Sequence, residues 1–382
     1  MKMTKRDFIR GAGLLGAANL VGATPALSAE KTGAQSPSVF NVRDFGAAGD
    51  GKTPDSDAVQ KALDAAGAVS GTTYFPAGRY LCHDLKAHPH TTVMAEPQWG
   101  YRGDAGAMLL LDSDEADCLL NITGAFGVHL RGLFLRGRRN TEKAIHGVCL
   151  NNAEKYSPQE DSIVIDDCKV EGFSGHGVHL LRIWLFILRH SILQGNQGCG
   201  VQITGWDGFV TDNQFSGNGS HGFGCDGVGA TVMFTANRVE WNKGYGLYLC
   251  GGDAWNVTGN CFDRNWGAGI CAMKMHTTAI TGNVLRRCGK DSNQLAEGER
   301  SCQVRLEECS GLTFVSNTCA AGRDDGGKGK YTPQVGFILR KLSHSVIANN
   351  TLYRGFMDQM TVDLGEHGEG YVFANNVGCP MS

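Results

Sequence analysis

An asparagine returns at Asn213, Asn237, Asn260 and Asn283, at spacings of 24, 23 and 23 residues. Each closes a similar phrase, such as Val210-Thr211-Asp212-Asn213 and Ile280-Thr281-Gly282-Asn283. The phase extends back to His190 and Cys168 and forward to Asn317, Asn350 and Asn376. A period of this size means stacked structural repeats.

The repeat describes one coil. An apolar residue follows each phased Asn at the second position (Phe215, Val239, Phe262, Leu285), and a second Asn follows at the fifth (Asn218, Asn242, Asn265). Then comes Gly-apolar-X-apolar, as in Gly200-Val201-Gln202-Ile203 and Gly246-Leu247-Tyr248-Leu249. These are short alternating runs broken by Gly and Asn, with no helical period between them, and they read as strands and tight turns. Such a coil holds three short strands and no crossover helix. The solution is an all-β parallel β-helix, in which like residues stack and the phased Asn side chains form an amide ladder. The expected role of these Asn residues is structural. Composition agrees: Gly is 54 of 382 residues and charged residues are 19%, which suits a turn-rich solenoid.

Residues 1–29 look like an export signal. Thr4-Lys5-Arg6-Asp7-Phe8-Ile9-Arg10 resembles a twin-arginine signal with Lys in place of the first Arg, followed by a weakly apolar stretch and Pro25-Ala26-Leu27-Ser28-Ala29. Losing Lys2, Lys5, Arg6, Arg10 and Asp7 takes the formal charge from −3 to −6, which does not favour nucleic acid or an anionic membrane as partner. A periplasmic or secreted protein is expected, with residues 30–382 as one β-helix domain. The 14 Cys lack CxxC spacing and are expected to be buried and reduced, with Cys199 and Cys225 pointing inward.

Between Val39 and Cys82 the chain reads Phe40-Asn41-Val42-Arg43-Asp44-Phe45-Gly46-Ala47-Ala48-Gly49-Asp50-Gly51-Lys52-Thr53, then Asp55-Ser56-Asp57-Ala58-Val59-Gln60, then Tyr74-Phe75-Pro76-Ala77-Gly78-Arg79-Tyr80. This resembles the N-terminal cap of the pectate-lyase-like superfamily of right-handed β-helices, which includes glycoside hydrolase family 28-related proteins and alginate C5-epimerases. The period behind an export signal also resembles twin-arginine-translocated β-helix repeat proteins. The resemblance implies a right-handed helix of ~23-residue coils over about 115–378, capped by 38–82. Asp55 or Ser56 can N-cap a helix running to about Ala66, with Ala58, Ala62 and Leu63 on its apolar side. An amphipathic lid of this kind covers the open end of a solenoid.

The resemblance also implies that the strand after the Gly turn carries the ligand-binding face. With Val178, Val201, Phe223, Leu247, Ile270, Val304, Phe337 and Val362 inward, the outward residues are His179, Gln202, Gly224, Tyr248, Cys271, Arg305, Ile338 and Asp363. A second outward column holds Asp226, Cys250, Met273, Glu307 and Arg340. Two long insertions, 287–301 and 321–334, wall this face and bring Asp324, Asp325 and Tyr331. A third loop, 153–161, brings Tyr156 to the other end.

Asp226 and Glu307 fall three coils apart, roughly 14 Å, beyond the 5–9.5 Å or so that glycoside hydrolysis requires. A hydrolase would have to recruit Asp324 or Asp325. Uronate elimination or epimerisation needs a cation on the carboxylate and a base for the α-proton. Arg305, Arg340 and Lys274 offer cations, and Tyr248, His179 or an Arg offers the base. Gly175-His176-Gly177 matches a family 28 motif but is the generic Gly-X-Gly turn of this chain. The Asp-Pro-His-Glu motif of alginate epimerases is absent. No Asp cluster resembles the calcium site of pectate lyases, so no cofactor or metal site is expected, although lyases of this fold can use calcium. His83, His88 and His90 are read as cap or surface residues with no carboxylate beside them.

The sequence therefore predicts a protein acting on an acidic polysaccharide or oligosaccharide. The catalytic set is Tyr248, Arg305, Glu307, Asp226 and Lys274, with substrate contacts from His179, Gln202, Arg340, Asp363, Asp324, Asp325 and Tyr331. A hydrolase and a non-catalytic glycan-binding solenoid are the alternatives. A homotrimer through another face is compatible with the pattern.

Overall fold

A computed structural model describes residues 38–378 except 140, 153, 291–299, 321–330, 332, 354–356 and 358. The export segment, Asp324 and Asp325 lie outside the described residues. Those described hold 34 short strands and one α-helix, so the chain is all-β. The strands form sheets of 21 and 13 members. Each strand pairs in parallel with its counterpart on the next coil, as in Val201↔Phe223, Phe223↔Leu247 and Leu247↔Ile270.

The strand after the Gly turn matters most below. Its successive copies are β1 (His146–Asn151), β2 (Val178–Arg189), β3 (Val201–Thr211), β4 (Phe223–Thr235), β5 (Leu247–Asp253), β6 (Ile270–His276), β7 (Cys302–Glu307), β8 (Val335–Arg340) and β9 (Gln359–Asp363). One core runs inside the coils. Phe215, Val239, Phe262, Leu285, Cys319 and Leu352 stack in register within it, all fully buried.

Two amide ladders fix where the coils turn. In the first, Asn213 Nδ2 donates to Asn237 Oδ1 (3.1 Å), Asn237 to Asn260 (3.1 Å) and Asn260 to Asn283 (2.9 Å). It continues through Asn317, Asn350 and Asn376. Each Oδ1 also accepts the backbone N–H of the preceding rung, and each rung from Asn213 onward sends a second Nδ2 proton to a core-strand carbonyl, as Asn237 does to Val210 O (2.9 Å). Every polar atom of these buried amides is thereby paired, which burial demands. Upstream of Asn213 the rung is Ser191, not His190: Ser191 N–H donates to Asn213 Oδ1, and Ser191 Oγ accepts from Cys168 N–H. The second ladder runs Asn196, Asn218, Asn242, Asn265 and ends on Cys288 Sγ.

The cap helix α1 (Ser56–Gly67) buries Val59, Ala62, Leu63 and Ala66. Asp55 holds the N-cap position but makes no side-chain cap bond. Its buried carboxylate instead accepts from Ala48 N–H (2.6 Å) and Gly49 N–H (3.1 Å), tying the preceding loop to the helix start. No described helix is long and apolar enough to cross a membrane.

Asn237→Ala strands the amides of Asn213 and Asn260 and the Val210 carbonyl in a dry core. It is expected to lower the unfolding free energy by about 2–3 kcal/mol, read from urea denaturation.

Candidate functional site

The outward face of β1 to β9 carries three columns of side chains. The first consists of the central residues of the turns that precede these strands, which read Gly-X-Gly on some coils, as at Gly175-His176-Gly177 and Gly244-Tyr245-Gly246, and X-His-Gly at His146 and His221. His146, His176, Cys199, His221 and Tyr245 succeed one another there, and Ala268, Cys302 and Val335 continue the series. The second is in register as Cys149, His179, Gln202, Gly224, Tyr248, Cys271, Arg305 and Ile338. The third runs Asp226, Cys250, Met273, Glu307 and Arg340. The predicted His179, Gln202, Tyr248, Arg305, Asp226, Glu307 and Arg340 thus share one face.

The last coil departs from the prediction. Val362 pairs with Ile338 and so lies in the outward column, while Thr361 takes the inward place beside Phe337. Asp363 follows the Leu339 position at the strand end. It sits away from the second column and is held by His367 Nε2 (2.7 Å) and Gly365 N–H (2.8 Å). Ala268, Cys302, Val335, Ile338 and Val362 form a second small apolar cluster against Tyr245, so the C-terminal end of this face is covered.

At the other end lies a group of imidazoles. His146 and His176 stack with centroids 5.1 Å apart, and His179 tilts against both at 4.5 and 4.9 Å. One coil beyond Cys199, His221 stacks on Tyr248 (4.7 Å) and Tyr245 (5.3 Å). The turn geometry fixes the tautomers. Nδ1 of His146, His176 and His221 accepts the backbone N–H of His176, Cys199 and Tyr245 respectively, at 2.9–3.0 Å. Each Nδ1 lone pair is therefore committed, and Nε2 carries the proton. Metal-ligating histidine instead keeps its second nitrogen as a donor, so these rings face the groove as hydrogen-bond donors.

Burial pulls His146 and His221 down to about 4 and His176 to about 3, and it lowers His179 as well. All four are neutral at pH 7. Burial also raises the phenols: Tyr245 to about 12, and Tyr248 upward with further contributions from Cys250 and Asp226. The face is consequently a strip of neutral donors. Cys199 belongs to it rather than to the core, since its Sγ–H donates to Gln202 Oε1 (3.4 Å); Cys225 is in the core as expected.

Glu307 is held from two sides. Arg305 Nη1 donates to Oε1, and Arg340 donates to Oε2 from Nε and Nη2 at 3.1 and 3.0 Å. Arg340 also reaches Glu308 (2.8 Å). Asp226 is exposed on the coil before Tyr248. Lys274 is exposed in a left-handed corner conformation, φ 54°. Calcium takes six to eight oxygen ligands. The face offers Asp226 and a Glu307 already bound by two arginines, and no described group of three His, Cys, Asp or Glu could hold a metal ion.

Aromatic rings border both edges. Tyr331 meets Trp241 and Trp266 edge-on at 5.5 and 6.1 Å. On the opposite edge Tyr156 stacks on Trp206 at 4.2 Å. Trp255 is a core residue. In the cap, His83 and His88 do acquire carboxylates, Asp112 (2.7 Å) and Asp64 (2.8 Å), from neighbouring segments. The two pairs are separate.

A family model described as the right-handed β-helix region matches residues 138–285. A second, described as rhamnogalacturonase A/epimerase, pectate lyase-like, matches residues 39–95. The chain is a right-handed parallel β-helix. It is 30% identical to mannuronan C5-epimerase AlgE2 of Azotobacter vinelandii over 242 residues, 55% of this chain and 22% of that protein. It is 62% identical to alginate lyase 7 of the same organism over 42 residues, 11% of this chain and 5% of that one. The chain thus spans about a fifth of the length of that epimerase. Among solved structures, the A-module of A. vinelandii mannuronan C-5 epimerase AlgE6 superposes with a TM-score of 0.66 at 18% identity, over 90% of this chain and 100% of that one. PfbA, a surface adhesin of Streptococcus pneumoniae, gives 0.64 at 14%, over 90% and 93%. At these identities the structural likeness establishes the fold.

The imidazoles also make the fold acid-sensitive. His146, His176 and His221 bind protons more weakly in the native state than at their ordinary value of 6.5. Their contribution to stability is therefore complete above that value and is lost as pH falls through about 4 to about 3. The urea midpoint is expected to drop across this window. His176→Gln, which keeps an acceptor for Cys199 N–H, is expected to make the drop shallower.

Proposed function

We propose that this protein acts on an acidic polysaccharide along the outer face of β2 to β8, by β-elimination or C5 epimerisation of uronate units. The observation that carries this reading is the continuity of neutral His and Tyr donors with the cation Arg305 on one face. Sequence similarity to mannuronan C5-epimerases supports it.

Both reactions begin by breaking the C5–H bond next to a carboxylate. The electron pair left on C5 spreads into that carboxylate, so donors and a cation placed there lower the barrier. Arg305, Tyr245 and His221 Nε2–H are such groups. Tyr248, held protonated by burial, suits the donor role. Asp226, exposed on the adjacent coil, suits the base. In elimination, C5–H gives its proton to the base, the C4–C5 double bond forms, and O4 leaves with a proton from Tyr248. In epimerisation, Asp226 keeps the abstracted proton, Tyr248 delivers its own solvent-exchangeable proton to C5 from the opposite ring face, and no bond to O4 breaks. Glu307 then serves to orient Arg305 and Arg340 rather than to transfer protons.

Export to the periplasm or beyond, from the segment 1–29, belongs to the same reading, because the substrate class is extracellular. A passive glycan-binding protein is the second reading. The Glu307 clamp and the covered apolar end of the face favour it.

Purified protein incubated with a panel of uronate and neutral polysaccharides, followed by unsaturated-product absorbance and reducing ends together, tests the proposal. Elimination yields both signals, and epimerisation alters the epimer ratio in the NMR spectrum with neither. Reducing ends without unsaturation would indicate hydrolysis and overturn the reading. Tyr248→Phe and Arg305→Ala are each expected to lower turnover by about 10²–10³-fold with the fold intact.

A further inference from the structure

Beside the outer face, at the turn edge, is a cleft of about 220 Å³ lined by Lys243, Tyr245, Trp266, Lys290, Arg300 and Arg305 among others. Among the described residues, four cations line it and no Asp or Glu does, in a chain whose formal net charge is −3. Arg305 is the one paired with a carboxylate, Glu307. No salt bridge joins Lys243, Lys290 or Arg300 to a described carboxylate. Like charges converging on a concavity raise one another's energy until an anion enters.

The cleft is built by the repeat. Lys243 follows the ladder residue Asn242, and Trp266 follows Asn265. Their backbone N–H groups donate to Asn218 O and Asn242 O, both at 2.8 Å, so they stand on consecutive rungs. Lys290 and Arg300 stand near the two ends of the first insertion. Ser301 Oγ donates to Lys290 O (2.6 Å) and accepts from Gln334 N–H (3.2 Å), which holds the two cation-bearing ends together. Tyr331 fixes Trp266 from its edge.

An indole wall opposite several cations, in a volume below that of a drug-sized pocket, fits one sugar ring bearing one anionic group. We infer that this cleft is a subsite for a single anionic pyranose unit, recognised through its carboxylate or sulfate ester. It extends the groove past Arg305 at the turn edge. The inference deepens the proposed function and rests on it for the uronate form of the ligand.

The test is binding, which needs no turnover. Intrinsic tryptophan fluorescence would be titrated with oligouronates of defined length and with sulfated neutral oligosaccharides. The wild type would be compared with Lys243→Ala/Lys290→Ala/Arg300→Ala and with Trp266→Ala, each checked for an unchanged thermal midpoint. The triple variant is expected to weaken oligouronate binding at least about tenfold, with a flatter salt dependence. Equal oligouronate affinity in wild type and triple variant would overturn the subsite. Binding of sulfated sugars alone, lost in the triple variant, would uphold the cleft and overturn the uronate reading of the groove. Absence of binding by both ligand classes would overturn the cleft as a sugar site.

Discussion

The asparagine ladder sets the geometry on which the rest of the structure depends. A buried primary amide that meets two donors and two acceptors on neighbouring coils leaves no freedom in where the chain turns. That constraint fixes the phase of the strands it spans, hence which residue of each turn faces out. It places His176, Cys199, His221 and Tyr245 in one column, and the parallel strand register extends that column back to His146, although these residues are scattered over a hundred positions of sequence. It also holds the Nδ1 atoms of the turn histidines against backbone N–H groups, so the same turns that build the solenoid dictate the tautomers of the candidate site.

Much of the fold was legible because the period is carried by residues with one physical use. Asn at fixed spacing and alternating apolar runs leave few other solutions, and the strand registers around Val201, Phe223, Leu247 and Ile270 follow directly. Errors arose where the spacing alone could not choose between neighbours. His190 lies 23 residues from Asn213 and Ser191 lies 22; the structure uses Ser191, whose hydroxyl can stand in for an amide oxygen. On the last coil a one-residue change of phase moved Val362 outward and took Asp363 from the second column. A period-two pattern has no tolerance for such a slip.

The candidate site was half legible. Arg305, Glu307 and Arg340 meet as alternation and stacking require. The imidazoles of the first column were given no role: Gly175-His176-Gly177 was read as a turn with an interchangeable centre, and His146 and His221 stand in turns that lack the first Gly. The signal was present in the identity of that centre: His, Cys, His and Tyr on four consecutive coils are not turn-forming choices. What pattern reading could not supply is protonation. That the histidines are neutral and the phenols held protonated follows from burial and backbone hydrogen bonds, and this shifts the expected roles. Tyr248 becomes a donor rather than a base, Asp226 the acceptor, and Glu307 a residue that positions two arginines.

The central claim is that this face removes the proton next to a uronate carboxylate. Hydrogen exchange at C5 tests it at the step shared by elimination and epimerisation. A polyuronate incubated with the protein in D₂O would be examined by NMR for deuterium at C5 and for the unsaturated product. The account predicts one or the other with the wild type and a rate about 10²–10³-fold lower with Tyr248→Phe. A polyuronate that binds along this face yet keeps its C5 hydrogen and its linkages intact would contradict it.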